Sequence, residues 1–92
     1  MKNIKLFNIR RKLDKLDDKF LKLIKKRTLL VNQVLLTKKY KNQIVDKKRI
    51  KKILSNIKSK SIKKRIDTKI TNEIWTSMIR AYIKYEFRNF KK

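Results

Sequence analysis

A chain of 92 residues that contains no glycine and no proline is restricted in how it can turn. It has no glycine-rich phosphate loop, no glycine for the primed turns of tight β-hairpins, and no flexible linker. Its apolar residues instead recur at steps of three and four, which is the spacing of one face of a helix. The sequence therefore predicts an all-α fold in a single domain spanning residues 1–92.

The apolar spacing divides into three predicted helices, one long and two shorter. The first runs from about residue 9 to residue 38, with Asn3 or Asn8 as its N-cap, and would be about 45 Å long. Asp46 is predicted to cap the second helix and Asp67 the third, because an aspartate accepts hydrogen bonds from the free N–H groups of a first turn.

Two polar stretches, residues 39–43 and 58–65, carry no clear apolar stripe. The long helix, in contrast, has more apolar surface than two short helices can cover, and a chain of this length buries only about 60–65% of its unfolded surface. We therefore expect a two-fold dimer, in which the long helices run antiparallel and the shorter ones pack across them. The result would be an intertwined six-helix homodimer.

The charge of the chain is strongly positive, with 30 Lys and Arg against 7 Asp and Glu and a net charge of +23. Such an excess favours nucleic acid, because cations release counterions from the phosphate backbone. However, Lys outnumbers Arg 23 to 7, Ile and Asn are also frequent, and the lysines are scattered. This pattern indicates compositional drift, so we expect no nucleic-acid partner and keep a basic nucleic-acid-binding helical bundle as a remote alternative.

The absence of cysteine and histidine excludes several kinds of chemistry. It excludes a disulfide framework, a cysteine-type zinc site and thiol catalysis, and it removes the usual general base. Nowhere do 18 apolar residues run together, and the first residues carry only short apolar groups between charges. We therefore expect neither a membrane span nor a signal peptide, and a cytoplasmic protein without a membrane partner.

Two cations interrupt the apolar face of the long helix. Arg27 and Lys38 continue the stripe that includes Val31 and Val34. Their side chains could lean together over the two valines and leave room for one small anion. The alternative interpretation is that both side chains snorkel at the end of the core.

Glu86 is one of only two glutamates and lies on the predicted apolar face of the third helix, with Ile79, Tyr82, Ile83 and Phe90. A carboxylate on such a face needs a partner. One interpretation is a buried ion pair with an arginine, and the other is a carboxyl group directed into a cationic pocket.

Two further arginines are candidates for a binding site. Arg49 follows Asp46 by one turn. An arginine in a chain that otherwise uses lysine favours a role that needs the planar guanidinium, which binds a carboxylate through two parallel hydrogen bonds. Arg10 stands about 25 Å from Arg27 along the long helix, too far to share its pocket within one chain. In an antiparallel dimer, Arg10 could instead complete the site of the partner.

These residues and their order resemble the all-helical chorismate mutases of the small, dimeric, intertwined type. The resemblance covers nearly the whole chain and rests on IRRKLDKLDDKFLKLIKKR, on Lys38 eleven residues later, on VDKKRI and on IWTSMIRAYIKYEF. It implies conversion of chorismate, a small dicarboxylate, to prephenate by a Claisen rearrangement without cofactor or metal. It also implies a homodimer with two identical sites, each borrowing one arginine from the other chain.

The resemblance assigns roles to individual positions. It implies that Arg27 and the Arg10 of the partner chain bind carboxylates, that Lys38 contacts the ether oxygen, and that Glu86 faces the same oxygen. These four are the implied catalytic residues. The implied substrate-binding set is Arg10, Arg27, Val34, Lys38, Asp46, Arg49, Tyr82, Ile83 and Glu86.

Two positions depart from the family pattern. Ile50 stands where many members carry a glutamate that contacts the substrate hydroxyl, and Tyr82 stands where some carry a small polar residue. The step from Arg49 to an aliphatic residue resembles the isochorismate pyruvate lyase branch, which forms salicylate on the same fold. That branch has glutamine where this chain has Glu86, so lyase activity stays an alternative.

Overall fold

The computed structural model describes residues 3–91, which form helices joined by short connections. Helix α1 spans Ile4–Thr37, α2 spans Lys47–Lys63 and α3 spans Thr68–Asn89, and a 3-10 turn at Lys41–Gln43 lies between α1 and α2. Residues 3–91 contain no strand. The predicted all-α fold with one long and two shorter helices is confirmed. None of these described helices has the length and apolar character needed to cross a membrane.

Helix α1 begins earlier than its apolar stripe predicts. The side-chain oxygen of Asn3 accepts a hydrogen bond from Leu6 N at 2.8 Å, so Asn3 rather than Asn8 is the N-cap. The helix then starts at Ile4 and not near residue 9. The added turn is possible because capping satisfies an N–H group that would otherwise be left without a partner.

Aspartates cap the other two helices, as predicted. The Asp46 carboxylate accepts from Arg49 N at 3.0 Å. The Asp67 carboxylate accepts from Lys69 N at 2.8 Å and from Ile70 N at 3.2 Å. A negative charge at these ends also complements the positive end of each helix dipole.

Helix α2 continues into the charged stretch that shows no apolar stripe, and ends at Lys63. Lysine is a good helix former, so its frequency in this stretch favours the continued helix. The stretch also has one buried polar contact: the Ser61 hydroxyl of α2 lies 2.8 Å from the Thr71 hydroxyl of α3, and both residues are buried. Helix α2 therefore packs on α3, and a buried hydroxyl pair is part of that contact.

The connection from α2 to α3 passes through a left-handed residue. Arg65 has a φ of 58°. Its N–H donates to Ile62 O at 3.1 Å, and Ile66 N donates to Ser61 O at 2.9 Å. These two bonds form a Schellman motif, in which glycine usually occupies the left-handed position. Because the chain has no glycine, an arginine bears the steric cost.

The described residues form two compact units, one up to Gln33 and one from Val34 onward. In the first unit, residues 3–26 are all exposed, and the stripe residues Leu13, Leu16, Phe20 and Ile24 are between 48 and 59% exposed. In the second unit, five residues are buried: Leu35, Ile44, Ser61, Thr71 and Glu86. Three of these five are polar or charged, so the second unit buries few apolar side chains completely.

Replacing Arg65 with glycine is expected to raise the free energy of unfolding by about 0.5–1 kcal/mol, because the Cβ that opposes a positive φ is removed. Urea denaturation followed by circular dichroism measures the change. Arg65→Ala is the control, since alanine removes the charge but keeps the Cβ. Equal gains in both variants would assign the effect to charge and not to backbone geometry.

Candidate active site

An ion pair joins the residue that follows α1 to the last turn of α3. Lys38 Nζ lies 2.9 Å from Glu86 Oε1, and the two side chains are only 15% and 10% exposed. They are 48 residues apart in the sequence, so the contact depends on the tertiary fold. The partner of Glu86 is thus a lysine, and not the arginine that one interpretation of the sequence named.

The end of α1 determines where Lys38 lies. Its backbone N–H donates to Leu35 O at 3.1 Å, which closes the helix beside the buried Leu35 side chain. Its ammonium group also contacts Ile44 O at 3.4 Å. Lys38 is therefore held at its backbone by the helix end and at its tip by two acceptors.

The face of α3 determines where Glu86 lies. Glu86 is buried, and the four residues predicted to share its face are half-buried: Ile79, Tyr82, Ile83 and Phe90. A carboxylate among such side chains loses hydration, and this cost is offset only by a nearby opposite charge or by hydrogen bonds. Lys38 supplies both to Glu86.

The Lys38 and Glu86 pair still has hydrogen-bonding groups available for a ligand. A lysine ammonium has three N–H donors, and residues 3–91 engage two of them, at Glu86 and at Ile44. A carboxyl group offers two oxygens, and it becomes a donor when it is protonated. The arrangement can therefore stabilise negative charge on a small ligand, or donate to an oxygen in it.

The second helix places its two predicted site residues differently. The Asp46 carboxylate is used as the N-cap of α2, where it accepts from the backbone of Arg49. Both residues are exposed. Within residues 3–91, no hydrogen bond or ion pair joins the Arg49 guanidinium to the Lys38 and Glu86 pair. Their part in a binding site stays a prediction.

The predicted lining residues of the second unit lie on α1 and α3. Tyr82 and Ile83 are half-buried, and the Tyr82 ring meets the Tyr85 ring edge-to-face with centroids 6.2 Å apart. Val34 is exposed on the last turns of α1. These three side chains are apolar or amphipathic, which suits the walls of a slot for an organic ligand.

The remaining predicted residues, Arg10 and Arg27, belong to the first unit. Arg10 is exposed and Arg27 is half-buried on α1. That they act together with Lys38 and Glu86 stays a prediction.

One contact of the site carries no signal in the sequence. The carbonyl oxygen of Ile44 is the second acceptor of the Lys38 ammonium. Every residue has such an oxygen, so only the conformation of the connection between α1 and α2 brings this one to Lys38. The side chain of Ile44, an ordinary buried aliphatic group, gives no hint of the contact.

The chemistry that the pair offers is hydrogen bonding and charge stabilisation. The chain contains no cysteine or histidine, and residues 3–91 hold no group of acidic side chains arranged to bind a metal ion. An ammonium held in place beside a carboxylate can stabilise negative charge on an oxygen of a bound ligand.

The chain matches one protein family over most of its length. The sequence model of the family described as chorismate mutase type II matches residues 9–87. This range begins just before Arg10 and ends just after Glu86, so all the predicted site residues lie inside it. No curated protein and no solved structure matches the chain significantly.

Proposed function

Because the chain belongs to the chorismate mutase type II family, we propose that it catalyses the Claisen rearrangement of chorismate to prephenate. The observation that carries the proposal is the ion pair of Lys38 and Glu86, held at 2.9 Å with both side chains largely shielded from water. The rearrangement is pericyclic and needs no nucleophile and no proton relay. Its demands are a compact substrate conformer and a donor at the breaking ether bond.

Lys38 is the proposed donor to the ether oxygen. Negative charge grows on this oxygen as the carbon–oxygen bond breaks, and a preplaced ammonium stabilises that charge without having to reorganise. The shielding of Lys38 from water strengthens the interaction, because fewer solvent dipoles compete with it. The interaction is stronger in the transition state than in the bound substrate, and only such interactions accelerate the step.

Arginines are proposed to hold the two carboxylates of the substrate. Arg27 and Arg49 of one chain, with the partner subunit's Arg10, would bind them through paired N–H groups. Fixing both carboxylates selects the compact conformer in which the reacting carbons meet. This selection lowers the barrier by removing motion that the free substrate would otherwise have to lose.

Glu86 is proposed to act in two ways, depending on its proton. As a carboxylate it accepts a hydrogen bond from Lys38, as the structure has it, and competes with the ether oxygen for that ammonium. As a carboxylic acid it can itself donate to the ether oxygen and leave Lys38 free to do the same.

The homodimer is proposed from the exposed stripe of α1. Leu13, Leu16, Phe20 and Ile24 are about half exposed in the single chain. A soluble protein rarely leaves a continuous apolar stripe of this length in water, and a second antiparallel copy of α1 would cover it. The same arrangement would carry Arg10 of each chain to the site of the other.

A second candidate activity is that of an isochorismate pyruvate lyase. Ile50, half-buried in the first turn of α2, supports it, because an aliphatic residue after the arginine resembles that branch. Glu86 argues against it, since the branch has glutamine there. The two activities act on related ethers and are separated by their products.

Purified protein is expected to consume chorismate without any added cofactor, which a fall in ultraviolet absorbance measures.

Lys38→Ala is expected to lower kcat about a hundredfold or more, because a donor at the ether oxygen contributes on the order of 3 kcal/mol. Lys39→Ala, an exposed neighbour, is the matched control and should keep its rate. Near-normal turnover by a dimeric Lys38→Ala protein would reject the assignment, and pyruvate and salicylate formed from isochorismate would favour the lyase.

Glu86→Gln offers an oxygen that accepts from Lys38 and a permanent N–H donor at the same place. Its kcat for chorismate is expected to stay closer to wild type than that of Glu86→Leu, which removes both hydrogen-bonding functions and leaves Lys38 without its partner. Steady-state rates of the two folded variants are the measurement. Equal losses in both would remove hydrogen bonding by residue 86 from the mechanism.

Two inactive variants are expected to complement each other. In a mixed dimer of Arg10→Ala and Lys38→Ala chains, one site keeps Lys38 and receives an intact Arg10 from the other chain. Random mixing should therefore restore about one quarter of wild-type activity. Mixed and unmixed samples are compared after subunit exchange in mild denaturant. No gain on mixing would mean that Arg10 acts within its own chain, or not at all.

A further inference from the structure

One side chain closes the connection between α1 and α2. Gln43 Oε1 accepts from Lys39 N at 2.6 Å and from Tyr40 N at 2.9 Å. Gln43 N in turn donates to Tyr40 O at 3.1 Å. The carboxamide oxygen thus binds two backbone N–H groups that follow the end of α1, and it ties both ends of the 3-10 turn together.

This turn also places the backbone carbonyl of Ile44 next to the Lys38 ammonium. Ile44 N donates to Lys41 O at 3.1 Å, and the Ile44 side chain is only 3% exposed, the best-buried apolar side chain in residues 3–91. Its carbonyl oxygen lies 3.4 Å from Lys38 Nζ. The ammonium of Lys38 therefore contacts two acceptors, Ile44 O and Glu86 Oε1.

A lysine needs such acceptors if its tip is to stay in one place. Its charge sits on a flexible stem of four carbons, and a single ion pair leaves the stem several rotamers. The turn that supplies the second acceptor lacks proline and glycine, so no ring or left-handed glycine presets its shape. Residues 39–43 are also all exposed, so packing does little to hold them. The two hydrogen bonds to Gln43 supply the constraint.

We propose that Gln43 is a positioning residue for Lys38, and that it acts by holding residues 39–44 in the turn that presents the Ile44 carbonyl to the ammonium. The proposal rests on the proposed function, in which Lys38 donates to the ether oxygen. Gln43 itself contacts backbone groups and touches neither Lys38 nor the reacting atoms. A displacement of the Lys38 tip by about 1 Å would be enough to lower the rate substantially.

A purely structural role for Gln43 leads to a different expectation. If the two hydrogen bonds only stabilise the turn, their loss lowers the unfolding midpoint and leaves kcat of the folded enzyme unchanged. If they position Lys38, their loss lowers kcat and kcat/KM together with little change in KM. This pattern is that of an interaction made mainly in the transition state.

The first test compares two substitutions of similar size in the dimeric, full-length protein. Gln43→Leu removes the acceptor and is expected to lower kcat about tenfold to a hundredfold. Gln43→Glu keeps an oxygen at the same position and is expected to restore kcat to nearly the wild-type value, because only an acceptor is used. Asn42→Ala, an exposed change in the same turn, should leave kcat unaltered.

A second readout is independent of the reaction. The nitrogen resonance of the Lys38 ammonium, recorded by NMR without substrate, is expected to shift in Gln43→Leu and to return in Gln43→Glu. If wild type fails to consume chorismate, the proposed function fails while this resonance still tests the positioning role. Should Gln43→Leu not fold, Gln43→Asn draws the oxygen back by about 1.5 Å and should give the same changes to a smaller degree.

Three results would overturn the proposal. The first is a folded Gln43→Leu or Gln43→Asn protein with wild-type kcat and an unshifted Lys38 resonance. The second is a Gln43→Glu protein as impaired as Gln43→Leu, since an acceptor would then not be what matters. The third is an equal loss of kcat in Asn42→Ala, which would point to a general sensitivity of the turn.

Discussion

The contact between the Lys38 ammonium and the Glu86 carboxylate is the interaction on which the site depends. It joins the end of α1 to the last turn of α3 and shields two charges from water. Such a pair is weak evidence for stability, because the cost of removing two ions from water often exceeds their attraction. Removing either partner, however, leaves the other as an uncompensated buried charge. A shielded ion pair in a unit with few buried apolar residues is consistent with the binding role proposed for Lys38 and Glu86.

The pair also sets what a ligand must do on entering. Lys38 is already bound by Glu86 and Ile44, so a substrate oxygen must compete with these acceptors for it or use the remaining N–H. In the proposed function, the ammonium is already in position before charge develops on the substrate, so little reorganisation would be needed.

Much of this arrangement could be predicted from residue spacing, and the rest depends on geometry that spacing does not encode. The caps at Asp46 and Asp67 were predictable, since aspartate before an apolar repeat has a direct physical role. Asn3 and Asn8 offer the same chemistry, so the choice of Asn3 required coordinates. The extension of α2 to Lys63 could not be predicted from an apolar stripe, because the buried contact of this segment is a hydroxyl pair. The identity of the residue that pairs with Glu86 also could not be predicted, because helical periodicity shows which face of α3 Glu86 lies on but not which residue of another element lies opposite.

The lack of glycine and proline links the fold to the site. Without these residues, each connection must be closed by hydrogen bonds, and the chain does this in two ways. After α2, Arg65 accepts a strained backbone so that a Schellman motif can form, and this ends the helix. After α1, the side-chain oxygen of Gln43 accepts hydrogen bonds from two backbone N–H groups, and no residue of this turn has a positive φ. Only the second closure leaves a carbonyl oxygen beside the Lys38 ammonium, so we expect a change in this turn to affect the site and a change at Arg65 to affect mainly stability.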